Sequence, residues 1–227
     1  MSPDALQLLQ PPTAHLADEG NHRIANHLTM LAGLLRLQAK GFGRMDTALS
    51  GEDVQRLLAE FAARLDTVGQ VHRLLGHGSR GALDMAQYLE TIARGLVSSL
   101  TADEQTTVDC VFPVTCVLPA EQAVALGLVI GELITNALQY AHPSGVAGAI
   151  RVEASAPDED TIAIEVCDDG VGLPDHIDPI QSQSLGFRMI RLLAKQLGAS
   201  ISFDNYGLGL SCTLQIPGTA RSLRVVS

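Results

Sequence analysis

The sequence predicts an α+β protein in two parts, a helical hairpin followed by an α/β sandwich. Three observations carry this. Apolar residues recur at helical spacing through the first third of the chain. From about residue 106 the pattern turns mixed, with period-two runs rich in β-branched residues. Between the two regions lies a glycine-rich break, His77-Gly78-Ser79-Arg80-Gly81.

Residues 1–12 read as a flexible lead ending in Pro11-Pro12. Thr13 is placed to cap a helix reaching Lys40, with Ile24, Leu28, Leu31 and Leu35 on one stripe. Gly41-Phe42-Gly43 ends it. Ser50-Gly51-Glu52-Asp53 resembles a capping box and opens a second helix. That helix carries Val54, Leu57, Leu58, Phe61, Leu65, Val68, Val71 and Leu75 on one side. Residues 13–78 therefore form an antiparallel hairpin whose two stripes need more cover than they give each other. The expectation is a homodimer closing a four-helix bundle.

Residues 84–217 make the second part. Asp84 caps a helix to Leu100, and residues 106–112 and 115–118 are strand-like. Pro119-Ala120-Glu121 opens a long helix to Tyr140. Strands are expected at 149–156, 161–167, 201–203 and 211–216, with a helix over 185–197 ending at Gly198. Residues 218–227 read as a tail.

The chain has 227 residues, of which 46% are hydrophobic, enough for one large domain or two small ones. A net charge of −10 argues against a nucleic-acid binder, which carries a basic face. The longest apolar run, Val124 to Ile130, stops at Gly131-Glu132. It falls short of the roughly 20 residues that cross a bilayer, so no direct membrane span is expected. The N-terminus shows no basic region followed by an apolar core. Cys110, Cys116, Cys167 and Cys212 form no Cys-x-x-Cys pair and read as reduced thiols, which fits a cytoplasmic protein.

Chemistry concentrates in three motifs. Glu132 and Asn136 sit one turn apart on an otherwise apolar helix. An amide oxygen with an acid beside it suits Mg²⁺ whose remaining ligands are phosphates and waters. Asp168-Asp169-Gly170-Val171-Gly172 ends a strand in an acid and a glycine-rich turn. Such residues also make an ordinary tight turn; in the functional reading Asp168 accepts from an adenine amino group, and Gly170 and Gly172 let backbone lie close to the base. Ser184-Leu185-Gly186-Phe187-Arg188 starts a helix, and such an N-terminus suits phosphate. The polar, proline-bearing stretch Leu173–Leu185 has the character of a lid.

His22 stands out among seven histidines. At about 100° per residue it lies roughly 160° from Ile24 and 180° from Leu31, so it projects away from the apolar stripe. A neutral imidazole there is a good nucleophile toward a phosphoryl group. His27 lies on the stripe and reads as a core residue.

On these residues the chain resembles the catalytic core of a two-component sensor histidine kinase. The resemblance spans about residues 14–217. Residues 19–26, with Arg23 after His22, are similar to the phosphoacceptor box of a subfamily close to the HWE kinases, and residues 34–39 continue it. Residues 128–137 resemble the N-box, 168–172 the first G-box and 184–190 a shortened second one. The second part resembles the ATP domain shared by gyrase, Hsp90, histidine kinases and MutL.

The resemblance implies ATP and Mg²⁺, with Asn136 on the metal and Asp168 on the adenine. It implies phosphorylation of His22, with Glu132 orienting or deprotonating the imidazole and Arg188 meeting phosphate. The implied partner is a response regulator receiver domain, whose Asp takes the phosphoryl group. No sensor domain precedes the hairpin, so a separate sensor protein is expected unless the chain is a fragment. Two departures bear on this reading. Gln139 stands where the family has Lys, and Gly20 lowers helix propensity beside the nucleophile. Two rivals follow: a phosphotransfer protein on a degenerate kinase scaffold, and an anti-sigma-type serine kinase.

Overall fold

The computed structural model divides into two compact units, Met1–Met45 and Asp46–Ser227. It describes Thr29, Ala32, Gly33, Arg36 and Ala39 in the first unit, and in the second a set of positions between Ser50 and Arg73 and residues 82–101, 106–143, 146–206, 208–217 and 224–225. The five positions of the first unit are all helical, as the spacing predicts. His22, the residues around it and the lead 1–12 lie outside the described residues.

In the second unit the described positions from Gly51 to Arg73 are helical. Thr67 and Val68 are buried, whereas Val54, Leu58 and Leu65 of the predicted stripe remain exposed.

Among the described residues nine strands follow: β1 Ala82–Asp84, β2 Thr107–Val111, β3 Val114–Thr115, β4 Val117–Pro119, β5 Ala149–Asp158, β6 Thr161–Asp168, β7 Ser200–Asn205, β8 Leu210–Pro217 and β9 Arg224–Val225. The helices described beside them are α1 Met85–Leu100, α2 Ala120–Asn136 and α3 Leu185–Gln196. The main sheet runs β2-β5-β6-β8-β7, with β2 and β5 parallel and the other pairs antiparallel.

The alternation read from the sequence sets the core. Ile150, Val152 and Ala154 of β5 and Ile162, Ile164 and Val166 of β6 are buried. Their odd-numbered neighbours Arg151, Glu153, Glu165 and Cys167 stay partly or fully exposed. The helices cover the buried face. Met85, Leu89, Ile92 and Leu96 of α1 recur at helical spacing and are buried. Asp84 caps α1 as predicted, its carboxylate accepting from Gln87 N at 3.0 Å.

Three details depart from the sequence reading. The strand expected at 115–118 breaks at Cys116, which is buried with its sulfur 3.9 Å from that of Met85. Its two halves, β3 and β4, pair with different partners, β9 and β1. The tail contributes β9, and β1 lies just after the glycine break. Two or three residues are too few to leave a period-two signal. Among the described residues one helical stretch, Glu121–Ala141, is long and apolar enough to cross a bilayer, but 78% of its most apolar window is buried within this fold. It is the core helix of the sandwich.

Candidate functional site

The site is built where α2 ends. A core helix buried nearly all round makes its polar residues conspicuous, which is why Glu132 and Asn136 stand out in the sequence. Asn136 is the last residue of α2 and is half-buried, with no hydrogen bond from its side chain among the described residues. The next five residues, Ala137–Ala141, widen into a π-helical turn, a distortion that recurs at functional sites. Glu132 is 1% exposed and is not without a partner.

The glycine-rich turn closes onto this helix end. Val171 N donates to Ala141 O at 2.9 Å, satisfying a helix-end carbonyl. A Cβ at Gly170 would overlap the carbonyl oxygen, Cα and Cβ of Ala141, so only glycine permits this approach. Gly172 has φ +71°, and a Cβ there would overlap Asn205 Oδ1. Asn205 grips the chain just after the turn, donating to Leu173 O at 2.8 Å and accepting from Leu173 N at 3.3 Å.

Asp168 ends β6. One carboxylate oxygen accepts from Gly170 N at 3.0 Å and Leu210 N at 3.3 Å. The other has no partner among the described residues and is free for a ligand. Beside it opens a cavity of about 220 Å³, bounded by Leu100, Thr101, Leu138, Ala141 and His142. Of the predicted site residues that are described, Asp168 alone lines this cavity.

The neighbouring acid, Asp169, is structural where sequence reasoning passed over it. It accepts from Ala149 N and from His142 Nε2, both at 2.8 Å. The Ala149 amide above all, and then His142, hold its carboxyl below the ordinary range. This ties the start of β5 and the residue after the π turn to the glycine-rich turn. The acidic doublet 168–169 was the signal available in the sequence.

α3 packs against α2 and is fixed to β7 by an edge-to-face contact of Phe187 and Phe203, with ring centroids 5.6 Å apart. Among the described residues no side chain caps its N-terminus at Ser184. Its first N–H groups, including that of Gly186, are therefore available to an anion. Arg188 is half-buried in the first turn, its side chain without a partner among the described residues.

The described residues contain no group of three or more His, Cys, Asp or Glu able to hold a metal. The residues present instead fit Mg²⁺ bound through one amide, Asn136, with nucleotide phosphates supplying the rest of the shell. The buried thiols take no part. Burial pushes Cys116 up to about 11 and Cys212 higher still, so both stay protonated.

Two family models match this chain. "Histidine kinase" matches residues 19–100, and "Histidine kinase-, DNA gyrase B-, and HSP90-like ATPase" matches residues 121–220. The chain belongs to the histidine kinase family. It is 30% identical over 213 residues to Blue-light-activated histidine kinase 2 of Erythrobacter litoralis, covering 88% of this chain and 56% of that protein. It is 30% identical over 204 residues to Sensor histidine kinase PdtaS of Mycobacterium tuberculosis, covering 88% of this chain and 38% of that one. This chain thus spans about half or less of these relatives. Among solved structures, the Erythrobacter litoralis EL346 blue-light activated histidine kinase superposes with a TM-score of 0.70 at 24% identity, over 92% of this chain and 61% of that one. The isolated histidine kinase domain of the same protein gives 0.65 at 23% identity, over 92% and 95%. These two likenesses establish the fold.

Proposed function

We propose that this chain is an ATP-dependent protein histidine kinase that phosphorylates itself on His22 and passes the group to an Asp of a response regulator receiver domain. The observation that carries the reading is Asp168. It is pinned by two backbone amides through one oxygen, with the other free, beside a cavity and on a turn locked to the helix bearing Asn136.

In this reading Asp168 accepts from the adenine amino group. Asn136 offers its amide oxygen to Mg²⁺, which supplies charge neutralisation on the phosphates when bound. The α3 N-terminus and Arg188 receive phosphate oxygens. A neutral ring nitrogen of His22 attacks the γ-phosphorus, the bond to the β–γ bridging oxygen breaks, and ADP leaves. A receiver carboxylate then attacks the same phosphorus and frees the imidazole. Glu132, buried within α2, orients or deprotonates the attacking imidazole in this reading.

Val54, Leu58 and Leu65, exposed at helical spacing, support a homodimer through a four-helix bundle. Input then comes from a separate sensor protein or from sequence beyond this chain. The test is incubation with Mg-ATP labelled on the γ-phosphate. The reading expects label that is acid-labile and alkali-stable and absent from His22→Gln. No label together with no heat on titration with Mg-ATP, the protein still folded, would favour the phosphotransfer rival.

A further inference from the structure

The stretch Leu173–Leu185, which the sequence marks as a lid, is fastened to α3 by a residue that the kinase reading does not use. Arg191 lies on α3, two turns past the N-terminus of that helix. Its Nη1 donates to Pro179 O and its Nη2 to Ser182 O, each at 2.6 Å. The two carbonyls are three residues apart, and the rigid guanidinium fork spans them together. The turn it grips is preorganised. Asp178 Oδ1 accepts from Ile180 N at 2.8 Å, and Asp178 O accepts from Ser182 N at 2.8 Å. At its other end the lid is held by Asn205 on Leu173.

We infer that Arg191 is a positioning residue that latches the lid to α3 and thereby sets how tightly nucleotide is held. The inference rests on the reading of this site as an ATP site. The logic is geometric. α3 carries the N–H groups proposed to meet phosphate, and Arg191 fixes the lid to that same helix. Lid and phosphate-binding end therefore move as one body. Lysine keeps the charge but presents one compact ammonium that cannot fork to both carbonyls. Arg191→Lys is therefore the diagnostic substitution, and Arg191→Gln removes the charge as well.

The experiment has two readouts on the whole chain. Hydrogen exchange of residues 174–184 is measured without nucleotide, and Mg-ATP affinity is measured by calorimetry. Loss of one charged hydrogen bond predicts exchange in the lid faster by roughly tenfold in Arg191→Lys, and more in Arg191→Gln. Protection in β5, β6 and β8 stays unchanged, which shows that the fold is intact. Mg-ATP affinity falls by a comparable factor in both variants. Unchanged lid exchange overturns the latch. Faster exchange with wild-type affinity overturns its link to nucleotide. If wild type binds no Mg-ATP while the variants still loosen the lid, the ATP reading fails and the latch stands as a mechanical device.

Discussion

Gly170 lies flat against Ala141. Its missing side chain is what lets Val171 N reach the Ala141 carbonyl at 2.9 Å. This contact joins the turn carrying Asp168 to the helix carrying Asn136, so the two proposed nucleotide ligands share one rigid junction.

Gly170→Ala tests that junction. The added Cβ meets backbone atoms of Ala141, which cannot swing away as a side chain would. The expected cost is about 1–3 kcal/mol of stability, the range for overpacking. Nucleotide affinity falls with it. Urea unfolding and ATP calorimetry on the same preparations check both.

Asp168→Asn addresses recognition of the base. The substitution keeps the shape but replaces a carboxylate oxygen with an amide that can donate where adenine also donates. Loss of a charge-assisted hydrogen bond predicts about tenfold or greater weakening of Mg-ATP binding. A matched fall for Mg-GTP would show that the loss was structural.

Much of this site was legible in the sequence. Asp168, Gly170 and Gly172 are visible because they follow the acid–amide helix and precede a glycine-started helix; alone, an acid with two glycines makes an ordinary tight turn. Asn136 is visible because a polar side chain is conspicuous in an apolar helix. What stayed hidden depends on long-range contact. Asn205 grips Leu173 from 32 positions away, and Asp169 meets His142 from 27. Neither leaves a periodic trace. The short strands β1 and β9 were missed for the same reason, since pairing with β4 and β3 defines them rather than their own composition.

Asp169 makes the junction sensitive to acid. A carboxyl held below its ordinary value adds stability that is fully present above the unfolded value of about 3.9. That contribution is lost as pH falls through the lower folded value. Comparing urea unfolding of wild type and Asp169→Asn between about pH 7 and about pH 3 should show a difference that is constant above pH 5 and closes at the acid end. A difference growing toward low pH would refute the assignment.

The second hairpin helix meets the core helix at another glycine. A Cβ on Gly131 would overlap Cγ2 of Thr67, which is 3% exposed. Gly131→Ala should therefore destabilise the chain by about 1–3 kcal/mol. Adding Thr67→Ser, which deletes that methyl and keeps the hydroxyl, should recover most of the loss. A double-mutant cycle measures the coupling.

The central claim is that a phosphoryl group from ATP arrives on His22. Its most direct test is mass spectrometry of the Mg-ATP-treated protein, digested and separated at alkaline pH to preserve phosphohistidine. The account predicts one phosphorylated histidine, His22, in wild type, and none in Asp168→Asn at limiting ATP. Phosphate on another histidine or on a serine, or none while Mg-ATP binds to folded protein, would contradict it.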